Sequence, residues 1–115
     1  MATNPSKLAS CQILYATAPD ESAAETIAAT LLEARLAACV NILGPVVSLY
    51  RWDAKLEKTT ECAFIVKTSA DCASHATQAI IDNHPYDTPC VVALNIQTAG
   101  SNKNFLDWIA AETSL

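Results

Sequence analysis

Glycine and basic residues are scarce in this sequence, and long apolar runs are absent. Only two glycines occur in 115 residues, so a glycine-rich loop that cradles phosphate is hard to build. Seven lysines and arginines stand against twelve aspartates and glutamates, and the basic residues are scattered, which argues against nucleic-acid binding. No apolar run reaches the roughly 18 residues of a membrane span. We therefore expect a small acidic protein that binds neither nucleic acid nor membranes.

The N-terminal segment, residues 1–10, has one lysine and no apolar stretch, so it does not read as a secretory signal. We expect it to be a frayed tail on a single domain that spans residues 1–115. A cytoplasmic location follows as the expectation, and the five cysteines are then reduced thiols. Their number is odd and no two form a CxxC motif, which argues against a disulfide framework or a zinc knuckle.

The longest continuous signal runs from Cys39 to Thr68 and predicts a long β-hairpin. Two apolar runs rich in valine, isoleucine, leucine and aromatic residues flank a short polar segment around residues 53–55. Gly44-Pro45 interrupts the first arm, because proline has no N–H and glycine has little strand preference. We expect a bulge at this point and a protruding tip that carries Tyr50 and Trp52.

The remaining patterns predict a strand and a helix before the hairpin, and a helix, a strand and a last helix after it. The spacing of Ser22 and Glu25 is that of a capping box, which would start the first helix. This order predicts an α+β, ferredoxin-like βαββαβ sandwich with an added C-terminal helix. The predicted bounds are 11–17 for the first strand, 22–37 and 71–83 for the two helices, 91–98 for the last strand and 104–111 for the terminal helix.

The predicted strands are apolar on both sides. In the second hairpin arm Cys62, Phe64 and Val66 point one way, while Ala63 and Ile65 point the other. An antiparallel sheet with one face open to water should instead alternate apolar with polar residues. No predicted segment is left to cover the second face, so we expect an obligate homo-oligomer. The interface residues predicted for it are Tyr50, Trp52, Phe64 and Val66.

No motif for an enzyme stands out. The sequence has no nucleophile elbow, no P-loop and no paired-histidine helix, so we expect a non-enzymatic protein. His84 follows a predicted helix and either interacts with that helix end or contacts a ligand or metal. Glu61 and Lys67 fall on one side of the hairpin arm and make ion pairs between subunits or line a ligand site. Tyr50 and Trp52 are either packing anchors or a platform for a ligand.

Several segments together resemble the CutA divalent-cation-tolerance family, over about residues 12–110. They are TAPDE (Thr17–Glu21), LAACVNI (Leu36–Ile42), SLYRWDAKLE (Ser48–Glu57), IVKT (Ile65–Thr68) and HPYDTP (His84–Pro89). The resemblance implies a ferredoxin-like homotrimer, similar in build to PII signalling proteins. It also implies a role in tolerance of divalent metal ions, copper in particular.

The resemblance also implies where copper would bind. The resemblance implies a copper site made of a cysteine at the end of the first strand and a histidine pair before the Pro-Tyr motif. Here Ala16 and Asn83 stand at two of these positions, so only His84 remains. We expect weak binding of copper or another divalent cation, with His84 as the best donor and Cys90 and Cys39 as additions. The family's usual glycine in the hairpin turn is Ala54 here.

Two other functions remain open from the sequence. A PII-like sensor would bind a small anion or metabolite in the clefts between subunits. Its charge would come from Lys67, Lys55 and Arg51. Glu61, Tyr86 and Trp52 would shape that pocket. Alternatively, the trimer surface is a scaffold that anchors a protein partner, which the acidic net charge permits.

Overall fold

The computed structural model describes residues 10–115 and confirms the predicted order of elements. The elements are β1 Cys11–Ala18, α1 Glu21–Glu33, β2 Cys39–Trp52, β3 Lys55–Ser69, α2 Ala70–Asp82, β4 Val91–Asn95 and α3 Lys103–Glu112. The predicted tail lies outside the described residues except for Ser10, whose carbonyl accepts a 2.8 Å hydrogen bond from the Ala70 N–H. The fold is therefore α+β, with the βαββαβ order and an added C-terminal helix.

All four strands form one antiparallel sheet in the order β2-β3-β1-β4. The central strands β1 and β3 pair along their shared length, from Cys11 opposite Ser69 to Ala18 opposite Cys62. Because side chains alternate along a strand, this register decides which residues share a face of the sheet.

The main core lies between one face of the sheet and helices α1 and α2. Leu14 and Ala16 of β1 stand opposite Val66 and Phe64 of β3, and all four are fully buried. Ile27 and Leu31 of α1 and Ala76 and Ile80 of α2 complete this cluster. The prediction that Phe64 and Val66 face a subunit interface is therefore wrong, because their register places them under the protomer's own helices.

Helix α3 packs on the opposite face of the sheet, at the end where β1 begins. There Leu106 and Ile109 form a second apolar cluster with Cys11. The Cys11 thiol lies 3.5 Å from the Leu106 carbonyl, and burial, followed by the charge of Asp107, raises the pKa of this thiol. The expectation that no segment covers the second face is thus wrong at this end of the sheet. The inward stripe of α3 is Leu106 and Ile109, whereas Phe105 and Trp108 stay exposed.

The helix ends differ from the predicted ones for local reasons. Asp20, not Ser22, caps α1, because its carboxylate accepts a 2.8 Å hydrogen bond from the Ala23 N–H. The helix also stops at Glu33 instead of continuing to Ala37, and the chain reverses at Arg35 with φ at 58°.

Strand β4 is shorter than predicted, because it has little of β1 left to pair with. Its last paired residue, Asn95, stands opposite Gln12, next to the first residue of β1. The Ile96 N–H then donates a 3.0 Å hydrogen bond to the Cys11 carbonyl, and the chain leaves the sheet toward α3.

The hairpin of β2 and β3 is the longest feature of the molecule, whose overall extents are 54 × 28 × 22 Å. The predicted bulge is confirmed as a register shift between Ile42 and Gly44, where Gly44 takes a φ of 102°. The turn has positive φ at both Asp53 and Ala54. This is the pattern of a two-residue turn that matches the strand twist.

In the described part of the chain, no third strand pairs with the outer half of the hairpin. Strand β3 pairs with β1 only from Cys62 to Ser69. Between the turn and Glu61, β3 pairs with β2 only. We call residues 46–61 the outer hairpin. Because a two-stranded ribbon is marginally stable in water, this segment needs support from another surface.

None of the helices in the described range 10–115 is both long enough and apolar enough to cross a membrane.

Candidate functional site

A cleft of about 940 Å³ lies where the outer hairpin, the end of β1 and the loop 85–90 meet. We call it the hairpin cleft. It lies on the sheet face opposite α1 and α2, because Tyr15 and Thr17 alternate with the core residues Leu14 and Ala16. Its aromatic residues are Tyr15, Tyr50, Trp52 and Tyr86, and its acidic residues are Glu57, Glu61 and Asp87.

His84 ties the loop 85–90 to the end of β1. Its Nε2 lies 2.8 Å from the Thr17 carbonyl oxygen, and its Nδ1 lies 3.1 Å from the backbone nitrogen of Tyr86. Since a backbone N–H can only donate, Nδ1 accepts and the proton sits on Nε2, which donates to Thr17. The ring also lies 4.8 Å from the Tyr86 ring, between centroids. Both ring nitrogens are therefore occupied within the chain, and the side chain holds a loop rather than the helix end.

Of the three predicted metal donors, His84 and Cys90 both have a hydrogen bond to the backbone of Thr17, whereas Cys39 lies apart from them. Cys39 lies level with Ile13 of β1, because both stand opposite Lys67 of β3. Cys90 lies level with Thr17 of β1, because its carbonyl accepts a 3.4 Å hydrogen bond from the Thr17 N–H. Ile13 and Thr17 are four residues apart, which is about 13 Å along a strand. Within residues 10–115 no three His, Cys, Asp or Glu residues cluster as a metal site would require. Cys90 is exposed at the hairpin cleft, whereas Cys39 is half-buried far from it.

The predicted ligand residues divide into two groups. Glu61, Tyr86 and Trp52 line the hairpin cleft, whereas Lys67 and Lys55 do not. Lys67 lies beside α3, with its Nζ 5.4 Å from the centroid of the Phe105 ring. Lys55 stands opposite Trp52 beside the turn.

Sequence reasoning missed part of the cleft. It left Tyr50 either as a packing anchor at an interface or as a platform for a ligand, and it did not consider Glu57, although the two face each other across the hairpin. Alternation back from Trp52 identifies Tyr50, and pairing across the turn then identifies Glu57. No local signal in the sequence placed Asp87 or Tyr15 in the cleft.

The hairpin cleft is electronegative. Among residues 10–115, no lysine or arginine lines it. The ion pairs of the described chain, Arg35–Glu112 and Lys103–Asp107, lie elsewhere. Burial raises the pKa of Tyr86, and the nearby Glu61, Tyr50 and Asp20 raise it further. The cleft therefore disfavours added negative charge.

Two apolar surfaces remain exposed, and the second of them includes Val47 and Leu49, which also line the hairpin cleft. One is the β4–α3 patch, made of Val92, Leu94, Phe105 and Trp108, whose side chains are 41–54% exposed. The Phe105 and Trp108 rings lie 5.5 Å apart between centroids. The other surface is on the outer hairpin, where Val47, Leu49 and Leu56 are 62–76% exposed. Exposed apolar area of this extent marks contact sites.

Comparisons with known proteins point to one family. Residues 12–112 match the family model described as "CutA1 divalent ion tolerance protein". The chain is 45% identical over 96 residues to "Divalent-cation tolerance protein CutA" of Archaeoglobus fulgidus, covering 84% of this chain and 91% of that protein. It is 37% identical over 101 residues to "Protein CutA, chloroplastic" of Arabidopsis thaliana, covering 88% of this chain and 54% of that protein.

Solved structures agree with this match. The chain superposes on the divalent ion tolerance protein CutA1 from Ehrlichia chaffeensis with a TM-score of 0.85 and 37% identity, covering 95% of this chain and all of that chain. It superposes on the periplasmic divalent cation tolerance protein CutA from Archaeoglobus fulgidus with a TM-score of 0.84 and 42% identity, covering 89% and 97%. The names of these relatives place them in different compartments, so a cytoplasmic location for this chain stays a prediction.

Proposed function

Since this chain belongs to the CutA1 divalent ion tolerance family, we propose that it acts as a homotrimer in tolerance of divalent metal ions. The family is one of non-enzymatic tolerance proteins, in agreement with the sequence-based expectation. The observation that carries the proposal on this chain is its exposed apolar surface, concentrated on the outer hairpin and the β4–α3 patch.

The placement of these surfaces supports a ring. The outer hairpin and the β4–α3 patch belong to different parts of the molecule, so contact between them is head-to-tail. A head-to-tail contact generates a closed ring if the rotation closes. A neighbour against the outer hairpin would also supply the support that a two-stranded ribbon lacks. Tyr50 and Trp52 stay predicted interface residues, since both are exposed on this segment.

A single protomer does not fit copper. Both nitrogens of His84 are occupied, and Cys39 lies far from Cys90. Copper favours sulfur and imidazole ligands and needs more than one of them. Direct binding would therefore combine donors from more than one protomer, and we propose Cys90 as this chain's contribution. With one exposed thiol from each chain, such binding is expected to be weak.

Native mass spectrometry with and without Cu(II) tests both parts of the proposal. The wild type is expected to be a trimer that takes up copper, and Cys90→Ser is expected to stay trimeric and lose that uptake. Cys39→Ser is the matched control, because it removes a thiol that lies far from the hairpin cleft. A monomeric wild type would contradict the trimer. Copper uptake that survives Cys90→Ser would contradict the donor, and absence of uptake by the wild type would leave tolerance without direct copper binding.

One observation favours a second candidate, a small-ligand sensor. The hairpin cleft has a volume of about 940 Å³, within the size range of small-molecule sites. The predicted anion is disfavoured, because neither Lys67 nor Lys55 lines the cleft and its charged residues are acidic. The scaffold that anchors a protein partner stays a prediction from the sequence.

A further inference from the structure

We propose that His84 is a positioning residue: its ring takes the place of a backbone donor at the end of the sheet and thereby sets where Cys90 lies. The role deepens the proposed function and rests on it, since Cys90 is the copper donor proposed above. The contacts that define the role lie within one chain and require no bound metal.

The pairing of β1 with β4 stops one hydrogen bond short of a complete pair. Ala16 stands opposite Val91, so the next two residues, Thr17 and Cys90, face each other as well. In an antiparallel hydrogen-bonded pair, two facing residues exchange two N–H···O bonds. The Thr17 N–H donates to the Cys90 carbonyl at 3.4 Å, but within residues 10–115 the Cys90 N–H makes no return bond to the Thr17 carbonyl.

The Thr17 carbonyl accepts from His84 instead. The His84 Nε2 lies 2.8 Å from this oxygen, and the Tyr86 N–H, 3.1 Å from Nδ1, keeps the ring proton on Nε2. Thr17 is buried, so its carbonyl would lose free energy without a partner. The imidazole N–H therefore supplies the bond that the Cys90 N–H supplies in a regular ladder.

This exchange of donors keeps Cys90 out of the strand. β4 begins at Val91, and the bond between the Cys90 carbonyl and Thr17 is long for an N–H···O contact. A return bond from the Cys90 N–H would add Cys90 to β4, and the alternation of the strand would then fix the direction of its side chain. Because the imidazole stands where that donor would lie, the Cys90 residue stays exposed at the end of the loop 85–90.

Two amide variants separate the two contacts of His84. In His84→Gln the side-chain NH2 group reaches as far as Nε2 and still donates to the Thr17 carbonyl, whereas the shorter side chain of His84→Asn keeps only the acceptor for the Tyr86 N–H. We expect the Cys90 amide of His84→Gln to exchange hydrogen as in the wild type. In His84→Asn the freed carbonyl accepts from the Cys90 N–H, so we expect this amide to exchange about fivefold more slowly.

Slower exchange is a readout that general destabilisation does not produce, because local opening of a loosened fold speeds exchange. His75→Asn is the matched control, since it makes the same substitution at an exposed histidine of α2. We expect it to leave the Cys90 amide unchanged. Native mass spectrometry checks that each variant assembles as the wild type does.

Copper uptake by the same variants connects the amides to the proposed function. We expect His84→Gln to take up Cu(II) as the wild type does, because His84 is not a ligand. We expect His84→Asn to bind it about tenfold more weakly or worse, as when a partner that orients a metal ligand is removed.

Two results would overturn the proposal. One is a Cys90 amide that exchanges equally fast in His84→Gln and His84→Asn. The other is loss of copper uptake in His84→Gln with an unchanged Cys90 amide, because His84 would then be a ligand. Absence of uptake by the wild type would contradict direct copper binding alone, and the amide comparison would still decide the role of His84.

Discussion

The His84 ring joins residues that lie far apart in the chain. It contacts Thr17, 67 positions away, and the backbone of Tyr86, two positions away. The sequence indicated that this histidine matters, because it opens the segment HPYDTP. It could not show that both nitrogens are occupied, since the Thr17 carbonyl becomes a neighbour only after β1 pairs within the sheet. A donor predicted by residue type alone therefore became a structural contact.

Residue-level capping gives a direct test of the fold. Asp20→Ala removes the carboxylate that accepts from the Ala23 N–H, so we expect the free energy of unfolding to fall by about 1 kcal/mol. Ser22→Ala is the matched control, because Ser22 lies inside α1 and its side chain caps nothing in the described structure. Denaturant unfolding of both variants measures the difference. A larger loss for Ser22→Ala would favour the predicted capping box instead.

Among the elements, the hairpin was predicted most closely. Its length, its bulge and its turn all follow from local signals, namely two apolar runs, Gly44-Pro45 and a polar tip. The sequence did not show which side chains of β3 point into the core, because Phe64 and Ile65 are both apolar and either could point inward. A shift of one residue exchanges the two faces of a strand, so only pairing with β1 and the helices decides between them.

The hairpin turn carries strain that a substitution can relieve. Ala54 has a φ of 62°, a left-handed conformation that costs an L-residue about 1 kcal/mol and glycine almost nothing. Ala54→Gly removes this conformational cost of about 1 kcal/mol, but glycine loses more chain entropy on folding, which costs about 0.5 kcal/mol or more. We therefore expect a net stabilisation of the outer hairpin of at most about 0.5 kcal/mol. Hydrogen exchange of the Tyr50 and Glu57 amides, which form a hydrogen-bonded pair of this hairpin, measures the local opening free energy.

Ala54→Val is the opposing control for that experiment. A β-branched residue at positive φ is an outlier, so its exchange is expected to be faster than in the wild type. The turn geometry would be contradicted if Ala54→Gly exchanged faster than Ala54→Val.

At the scale of the whole molecule, the order of elements was predictable and the cleft was not. Each helix and strand has its own periodicity or turn signal, and together they fix the βαββαβ order. The hairpin cleft combines β1, the outer hairpin and the loop 85–90, which meet only in the folded chain. The negative charge of the cleft was not predictable either, because the fold places Lys67 beside α3 and places Glu57 and Glu61 in the cleft.

The proposed trimer predicts different effects for two exposed leucines. Leu94 lies in the β4–α3 patch and is 54% exposed, while Leu32 lies on α1 and is 42% exposed. Leu94→Lys would bury a charge at the proposed interface, so we expect it to shift the trimer toward monomer. Leu32→Lys is expected to leave assembly unchanged. Sedimentation velocity over a range of concentrations measures both, and dissociation by Leu32→Lys alone would contradict the assignment of the patch.

The bulge at Gly44 divides the hairpin into two parts that tolerate different substitutions during evolution. On its body side, β2 packs through Val40 and Ile42 against the main core, so a substitution there must fit many neighbours. Beyond it, the residues of the outer hairpin belong to neither core cluster of residues 10–115. In the proposed trimer, substitutions at Tyr50 or Trp52 are therefore limited by the neighbouring protomer and not by the packing of the interior. The bulge separates a part of the chain that must preserve the fold from a part that must preserve the assembly.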